Sequence, residues 1–104
     1  MDKNEIRIKL YEGDIRDLSG LEISPFEFID TLHIRDRLFE DYNVLNDGQK
    51  KVLEECDNIF LDNVEKFHKH ISIVYDWNNH EIPLLRWWWH LDKIINGKLK
   101  EVDS

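Results

Sequence analysis

The feature that most constrains this fold is a seam of apolar residues in the middle of the chain. Its members recur every three or four positions: Leu53, Cys56, Phe60, Val64, Phe67, Ile71 and Val74. Because an α-helix makes one turn in about 3.6 residues, this spacing places all of them on one helical face. The seam predicts a helix over 47–75 that packs along its neighbours, with Asn46 and Gln49 as its N-terminal capping pair. Residues 71–75 are rich in β-branched side chains and alternate in polarity, so a strand is the competing prediction there.

Local start and stop signals predict two further helices. Ser24-Pro25-Phe26-Glu27 offers a capping hydroxyl, a proline at the first helical position and a glutamate at the third. A helix is therefore predicted to begin at Pro25 and to run over 25–42. Pro83 suits the first turn of another helix and Asn96-Gly97 is a typical helix end, which predicts a helix over 83–96.

The N-terminal segment is predicted to be extended. Over 5–11 apolar and charged residues alternate, with Ile6, Ile8 and Leu10 on one face, and a period of two is typical of a half-buried strand. A second short strand at 20–23 would complete a hairpin. The prediction is thus a mainly α, compact three-helix domain with a short N-terminal strand or hairpin. It would form a single domain over 1–104, with the polar residues 98–104 as a frayed tail.

Composition narrows the classes of function. Fourteen Lys and Arg against 22 Asp and Glu give a net charge of −8, and the chain contains no alanine. The acidic balance disfavours direct nucleic-acid binding and favours a partner with a basic surface. No stretch is apolar enough to span a membrane and no secretory signal is evident at the N-terminus. With Cys56 as the single cysteine, no internal disulfide can form, and a cytoplasmic location is predicted.

The surplus of large apolar side chains in the sequence is concentrated in Leu84–Ile95. Plotted as one helix, most of its apolar residues form a core stripe, while Leu85 and Trp89 fall on another side, close to Asp92. That second side is either buried deep in the domain or presented to another molecule. We therefore take Leu85, Trp89 and Asp92, with Trp77 in the preceding loop, as candidate partner-binding residues, since tryptophan is enriched in interface hot spots. Stacking of the three adjacent tryptophans on single-stranded bases is a weaker alternative, because few cations lie nearby.

The search for catalytic chemistry finds no established motif. His68 and His70 point away from each other on a helix, and only His80, Glu81 and His90 have a chance of meeting. No phosphate-binding loop or nucleophile motif is present. The sequence predicts no catalytic residue, no metal site and no cofactor. Asp36 stands on the apolar face of the first predicted helix with Arg35 at its edge, and we expect this pair to reach a helix end or a backbone group.

Four hypotheses of function follow. The leading one is a small acidic interaction module of the antitoxin, immunity or inhibitor kind, which neutralises a basic partner. The main alternative is a homodimeric structural or accessory protein that self-associates through Leu85, Trp89 or the edge strand. The third is a small hydrolase or metal-dependent enzyme that would use His80, His90 and acidic residues. A DNA-binding regulator would need a basic recognition helix, which the mixed charges around Arg35 do not provide.

Overall fold

The computed structural model describes residues 2–17, 24–78 and 81–96. Within these ranges the chain is helical and contains no β-strand. Two short 3₁₀ turns, at Tyr42–Val44 and Trp87–Trp89, accompany five α-helices in these ranges. The helices are α1 (Lys3–Arg16), α2 (Pro25–Glu40), α3 (Asp47–Asp62), α4 (Val64–Ile71) and α5 (Leu91–Ile95).

The predicted N-terminal strand over 5–11 is wrong, because this segment belongs to α1. The buried residues of α1 are Asn4, Ile8, Tyr11 and Ile15, which recur at the helical interval of three or four positions. The Asp2 carboxylate caps the helix by accepting the Asn4 N–H at 3.3 Å. The alternation was too short to separate the two periods, and burial of the helical seam decides between them. The second predicted strand, at 20–23, lies outside the described residues.

The starts of α2 and α3 lie where the capping signals predict them. The Ser24 hydroxyl accepts the Glu27 N–H at 3.1 Å, and α2 begins at Pro25. Asn46 and Gln49 form a reciprocal capping box: the Asn46 side chain accepts the Gln49 N–H at 2.8 Å, and the Gln49 side chain accepts the Asn46 N–H at 3.0 Å. Both helices therefore begin on satisfied backbone donors.

The predicted helix over 47–75 is two helices. α3 ends at Asp62, and Asn63 leaves the helical region with ψ at 28° while its side-chain amide donates to the Ile59 carbonyl at 2.9 Å. The predicted seam nevertheless continues across the break, with buried residues from Leu53 to Ile71. After α4, which ends at Ile71, the chain forms a turn at 72–74, so residues 72–75 are neither in the predicted helix nor in the competing strand.

The predicted helix over 83–96 is also wrong. Pro83 does not begin a helix; the chain forms the 3₁₀ turn Trp87–Trp89 and then the short helix α5. A 3₁₀ turn rotates by about 120° per residue, and its three adjacent indoles have different neighbours. Trp87 packs edge-on against Phe60, with ring centroids 5.2 Å apart. The prediction of three helices therefore gives way to five.

The core lies where α1, α2, α3 and α4 meet. α1 packs on α2 and α3, α2 also packs on α4, and α5 packs on α4. A cluster of phenylalanine rings fills the centre, with Phe60 and Phe67 centroids 4.8 Å apart and Phe28 and Phe67 centroids 5.2 Å apart. Among the described helices, none is both long and apolar enough to cross a membrane.

Candidate functional site

The side chain of Asp36, on α2, binds the 3₁₀ turn Trp87–Trp89. Its Oδ1 accepts the Nε1–H groups of Trp88 at 2.8 Å and of Trp89 at 2.9 Å. The Trp89 donor also reaches Oδ2 at 3.1 Å. The Nη1 of Arg86 lies 3.1 Å from Oδ1. Because indole nitrogens only donate and a carboxylate only accepts, one side chain satisfies two indole donors and pairs with a guanidinium.

An open cavity of about 420 Å³ lies beside this carboxylate. Its walls come from α2, from the loop that follows α4 and from the segment before the 3₁₀ turn. The described lining residues are Ile29, His33, Asp36, Tyr75, Glu81, Ile82, Pro83, Arg86 and Trp89. We call this the Asp36 cavity.

Aromatic rings form one side of the Asp36 cavity. The Trp89 ring lies between the rings of Tyr75 and His33, with centroid separations of 5.2 Å and 5.0 Å. Only 4% of Trp89 is exposed. The indole is therefore a fixed part of the cavity wall, because its N–H is held by Asp36 and its ring by two neighbours.

Acidic groups outnumber the basic group at the cavity. Arg86 pairs with Asp36 and also lies 3.5 Å from the Glu40 carboxylate. Its guanidinium sits over the Phe39 ring at 5.1 Å. Glu81 adds a further carboxylate to the lining. Glu40 is not part of the lining and also pairs with Arg37 at 3.1 Å, so the described lining holds two carboxylates, Asp36 and Glu81, and one guanidinium, Arg86.

The geometry makes Asp36 an anchor instead of a base. A carboxylate has about four acceptor positions, and donors from Trp88, Trp89 and Arg86 already approach those of Asp36. His33 Nδ1 lies 3.6 Å from Oδ2, beyond a good hydrogen bond. Proton abstraction by Asp36 would require it to release groups that hold the fold together, so the arrangement favours binding over acid–base chemistry.

A second buried hydrogen-bond network, centred on Asp57, contacts the site through Arg35 and Trp88. Arg35 donates to Asp57 through Nε at 3.0 Å and Nη2 at 2.8 Å, and the Tyr11 hydroxyl donates to Asp57 at 2.6 Å. The Arg35 guanidinium lies over the Trp88 ring at 4.2 Å. Burial, followed by the nearby Asp57 charge, raises the pKa of Tyr11 well above its usual value. Trp88 therefore joins the Asp36 site to a network that spans α1, α2 and α3.

Asp36 and Arg35 thus bind side chains, where the sequence led us to expect a helix end or a backbone group. The location of Asp36 on the apolar face of α2 was the available signal, because a carboxylate there must find buried donors. Its partners lie some fifty positions away in the chain. His33, Glu81 and Arg86 were not predicted as members of this site, since no local pattern connects them.

Of the four predicted partner-binding residues, Trp89 lines the Asp36 cavity and Leu85 is a neighbour in the chain of lining residues. Trp89 lines it, and Leu85, which is 61% exposed, stands in sequence between the lining residues Pro83 and Arg86. Leu84 is 48% exposed. On α2, Phe26 is 72% exposed and lies three positions before the lining residue Ile29, on the same side of the helix. We call Phe26, Leu84 and Leu85 the apolar rim.

The other two predicted residues lie at a different place. Asp92 lines a smaller cavity of about 130 Å³ together with His68. Trp77 stacks on the His68 ring at 5.0 Å, and its Nε1–H donates to the Ser72 hydroxyl at 2.8 Å. Only 8% of Trp77 is exposed. The structure thus pairs Leu85 with Trp89, and Asp92 with the surroundings of Trp77.

The residues considered for metal or nucleophilic chemistry are separated. His90 is buried, and its Nε2 contacts the Ile82 carbonyl at 2.9 Å, whereas Glu81 lines the Asp36 cavity. His80 lies outside the described residues. Over residues 2–17, 24–78 and 81–96, no group of three or more His, Cys, Asp or Glu is placed to hold a metal ion. Cys56 is buried as predicted, and burial raises the pKa of its thiol to about 11.

Comparison of the chain with protein-family models, with curated proteins and with solved structures found no match. The geometry of the Asp36 cavity therefore carries the functional inference.

Proposed function

We propose that this protein is a non-catalytic interaction module that binds a basic protein partner through the Asp36 cavity and the apolar rim. The observation that carries the proposal is an open cavity with two carboxylates and one guanidinium in its lining, together with exposed apolar side chains that lie close in the chain to lining residues. Exposed apolar groups beside a polar concavity are typical of binding surfaces. The net charge of −8 favours a basic partner.

The molecular role that agrees with this surface is neutralisation. An antitoxin-, immunity- or inhibitor-type protein covers a functional basic surface of its partner, and an acidic module with a preformed cavity suits that task. A reducing, cytoplasmic setting belongs to the same proposal, because the chain has a single cysteine and that thiol is buried.

The proposal is tested by affinity capture from lysate of the source cell, followed by reconstitution with the purified partner. Wild type is compared with Leu85→Ser, and Val44→Ser is the matched control because Val44 is 75% exposed and neither it nor its neighbours in the chain line the cavity, whereas Leu85 precedes the lining residue Arg86. We expect one partner of net positive charge, retained by wild type and Val44→Ser but lost with Leu85→Ser. Its affinity should fall several-fold between 50 and 500 mM salt, since screening weakens charge attraction.

Two results would overturn this function. One is a partner that binds Leu85→Ser as tightly as wild type; the other is an affinity that does not respond to salt. Homodimer formation is the alternative, and the exposed Leu84 and Leu85 favour its consideration. Sedimentation of the purified protein at rising concentration distinguishes it, because a dimer closed by these residues would appear without any partner and would be absent in Leu85→Ser.

A further inference from the structure

We infer that the Asp36 cavity receives a large, uncharged apolar side chain of the partner, which anchors the interaction. This inference rests on the proposed function, and it assigns the cavity a chemical class of ligand. The first argument is that the charged groups of the described lining are already engaged. The Asp36 carboxylate accepts from two indole N–H groups and pairs with Arg86. Glu81 has an interaction of its own.

The Arg86 guanidinium is engaged as well. It lies 3.1 Å from Asp36 and 3.5 Å from Glu40, and it sits over the Phe39 ring at 5.1 Å. A charged ligand would therefore lose its hydration on entry without finding a free counter-charge in the described lining. An uncharged apolar ligand has no such cost, because it has no charge to desolvate. Apolar contact is thus the source of affinity that the cavity can offer.

The second argument is the apolar part of the wall. Ile29 of α2 lines the cavity together with Ile82 and Pro83 of the segment before the 3₁₀ turn. Ile29 and Ile82 are half-buried and Pro83 is exposed, so these side chains keep apolar surface that a ligand can cover. An apolar side chain placed against them would remove both its own surface and theirs from water, which is favourable in proportion to the area covered.

The third argument is the size and the surroundings of the cavity. A volume of about 420 Å³ lies in the range of about 300–1,000 Å³ that is usual for ligand pockets, so a large side chain fits. Leu84 and Leu85, which are 48% and 61% exposed, directly follow the lining residue Pro83. An anchor side chain ringed by contacts that exclude water is typical of an interface hot spot. A side chain of a protein partner is therefore favoured over a free small molecule, which would leave these leucines exposed.

The inference is tested first on the intact protein without its partner. The probes are the Nα-acetyl methylamides of phenylalanine, arginine and alanine. The signals are the methyl resonances of Ile29 and Ile82 in an NMR spectrum of protein with isotope-labelled isoleucine methyl groups, each identified with a valine variant. We expect the phenylalanine probe to shift both resonances in a saturable manner and the arginine and alanine probes to have Kd values at least about fivefold weaker. The complex with the captured partner should shift the same two resonances.

Matched variants separate the apolar wall from the charges. Ile82→Thr makes a wall residue polar, and Ile6→Thr makes the same change at an exposed residue of α1 that does not line the cavity. We expect Ile82→Thr to raise the Kd of the phenylalanine probe about threefold to tenfold and Ile6→Thr to leave it unchanged. Glu81→Gln should change it by less than about twofold, because the probe makes no use of that charge. An unchanged Trp88 indole N–H resonance shows that a variant keeps its fold, and Ile29→Thr replaces Ile82→Thr if that resonance moves.

The inference is overturned if the arginine probe binds as tightly as the phenylalanine probe, if Glu81→Gln weakens binding as much as Ile82→Thr, or if the complex with the captured partner leaves both methyl resonances unchanged. Methyl shifts that appear with rising protein concentration alone would identify a second copy of this chain as the occupant and would overturn it too. A captured basic partner combined with probes that do not bind would leave the proposed function standing and remove only the apolar anchor.

Discussion

Asp36 is the residue on which the hydrogen bonds of the site converge. Its carboxylate accepts from two indole N–H groups and pairs with a guanidinium, and its side chain is only 15% exposed. A buried acceptor that serves several donors is costly to alter, because each donor that loses its partner remains desolvated. The cavity wall and the 3₁₀ turn therefore depend on one side chain of α2.

Replacing Asp36 with asparagine should test this dependence. The change removes the counter-charge of Arg86 and turns one acceptor into a donor facing two indoles, so we expect the free energy of unfolding to fall by about 2–4 kcal/mol. Urea denaturation measures this loss. Asp30→Asn is the control, because Asp30 is an exposed residue of the same helix. A loss within 0.5 kcal/mol of the control would show that the convergence contributes little to stability.

Cys56 makes the stability of the protein decrease at alkaline pH. Burial is the main cause that raises the pKa of its thiol from about 9 to about 11 in the folded state. The folded protein therefore keeps the thiol neutral where the unfolded chain ionises it. This contribution is complete below pH 9 and is lost as the pH rises towards 11.

We expect the free energy of unfolding to fall by about 2 kcal/mol between pH 9 and pH 11 through this group alone, at about 1.4 kcal/mol for each unit of pKa. Tyr11, whose pKa is also raised, adds to the loss above pH 10. Denaturation of wild type and Cys56→Val across this pH range isolates the thiol. Parallel pH profiles for the two proteins would contradict the assignment.

At the scale of elements, α1 shows how a short pattern misleads. The alternation of Ile6, Ile8 and Leu10 is genuine, yet only Ile8 of the three is buried. A strand prediction buries all three, whereas the helix buries Ile8 with Tyr11 and Ile15 and leaves Ile6 and Leu10 in solvent. The helical seam continues beyond the alternating window, past Gly13 to the buried Ile15.

Gly13 provides a direct test of α1. It lies inside the helix, and a Cβ added there would meet nothing within 4 Å. Gly13→Ala should therefore raise the free energy of unfolding by about 0.5–1 kcal/mol, because alanine reduces the entropy of the unfolded chain and favours helix. Thermal or urea denaturation followed by circular dichroism checks the gain.

Gly48→Ala is the matched control for Gly13→Ala. A Cβ at Gly48 would lie 3.4 Å from the Asn46 side-chain oxygen that caps α3. We expect a smaller gain there, since the contact is close to the cap. If Gly13→Ala is neutral or destabilising, the description of residues 3–16 as a continuous helix is wrong.

Two interruptions of the predicted helices, at Asn63 and at Trp87–Trp89, determine where the side chains around them lie. At Asn63 the chain leaves α3 and begins α4 without losing the apolar seam. At Trp87–Trp89 the 3₁₀ turn separates three adjacent rings: Trp87 faces Phe60, Trp88 lies under Arg35 and Trp89 enters the cavity wall.

At the scale of the whole molecule, Asp57 connects separate helices. It lies on α3 and accepts from Tyr11 on α1 and from Arg35 on α2, while Arg35 covers Trp88 in the 3₁₀ turn. Arg35 is 7% exposed, so its charge depends on a single carboxylate in an environment with little water. Loss of that carboxylate would affect three helices at once.

Asp57→Ala should reduce the free energy of unfolding by about 3–5 kcal/mol, because it leaves the Arg35 charge buried without a partner. The double variant Arg35→Met/Asp57→Ala removes that charge as well. We expect its loss to be smaller than the sum of the two single losses by more than about 1 kcal/mol. A double-mutant cycle in urea measures the coupling, and simple additivity of the two changes would show that the pair does not act as a unit.

Some features of this protein follow from sequence alone because their causes are local. The starts of α2 and α3 depend on hydroxyl, amide and proline groups within four residues, and the seam from Leu53 to Ile71 depends on helical spacing. The burial of Cys56 follows from its position in that seam. In each case the interacting groups are close in the chain, so their geometry follows from the backbone conformation.

The helical form of residues 3–16, the split of 83–96 and the Asp36 cavity were decided by tertiary structure. Residues 3–16 form a helix because their apolar seam packs against α2 and α3. The 3₁₀ turn is held by hydrogen bonds that Trp88 and Trp89 donate to the Asp36 carboxylate of α2. The sequence showed Asp36 on an apolar face and Trp89 on a helix with surplus bulk. Only folding brings them together, because contacts between residues distant in the chain depend on how whole helices pack.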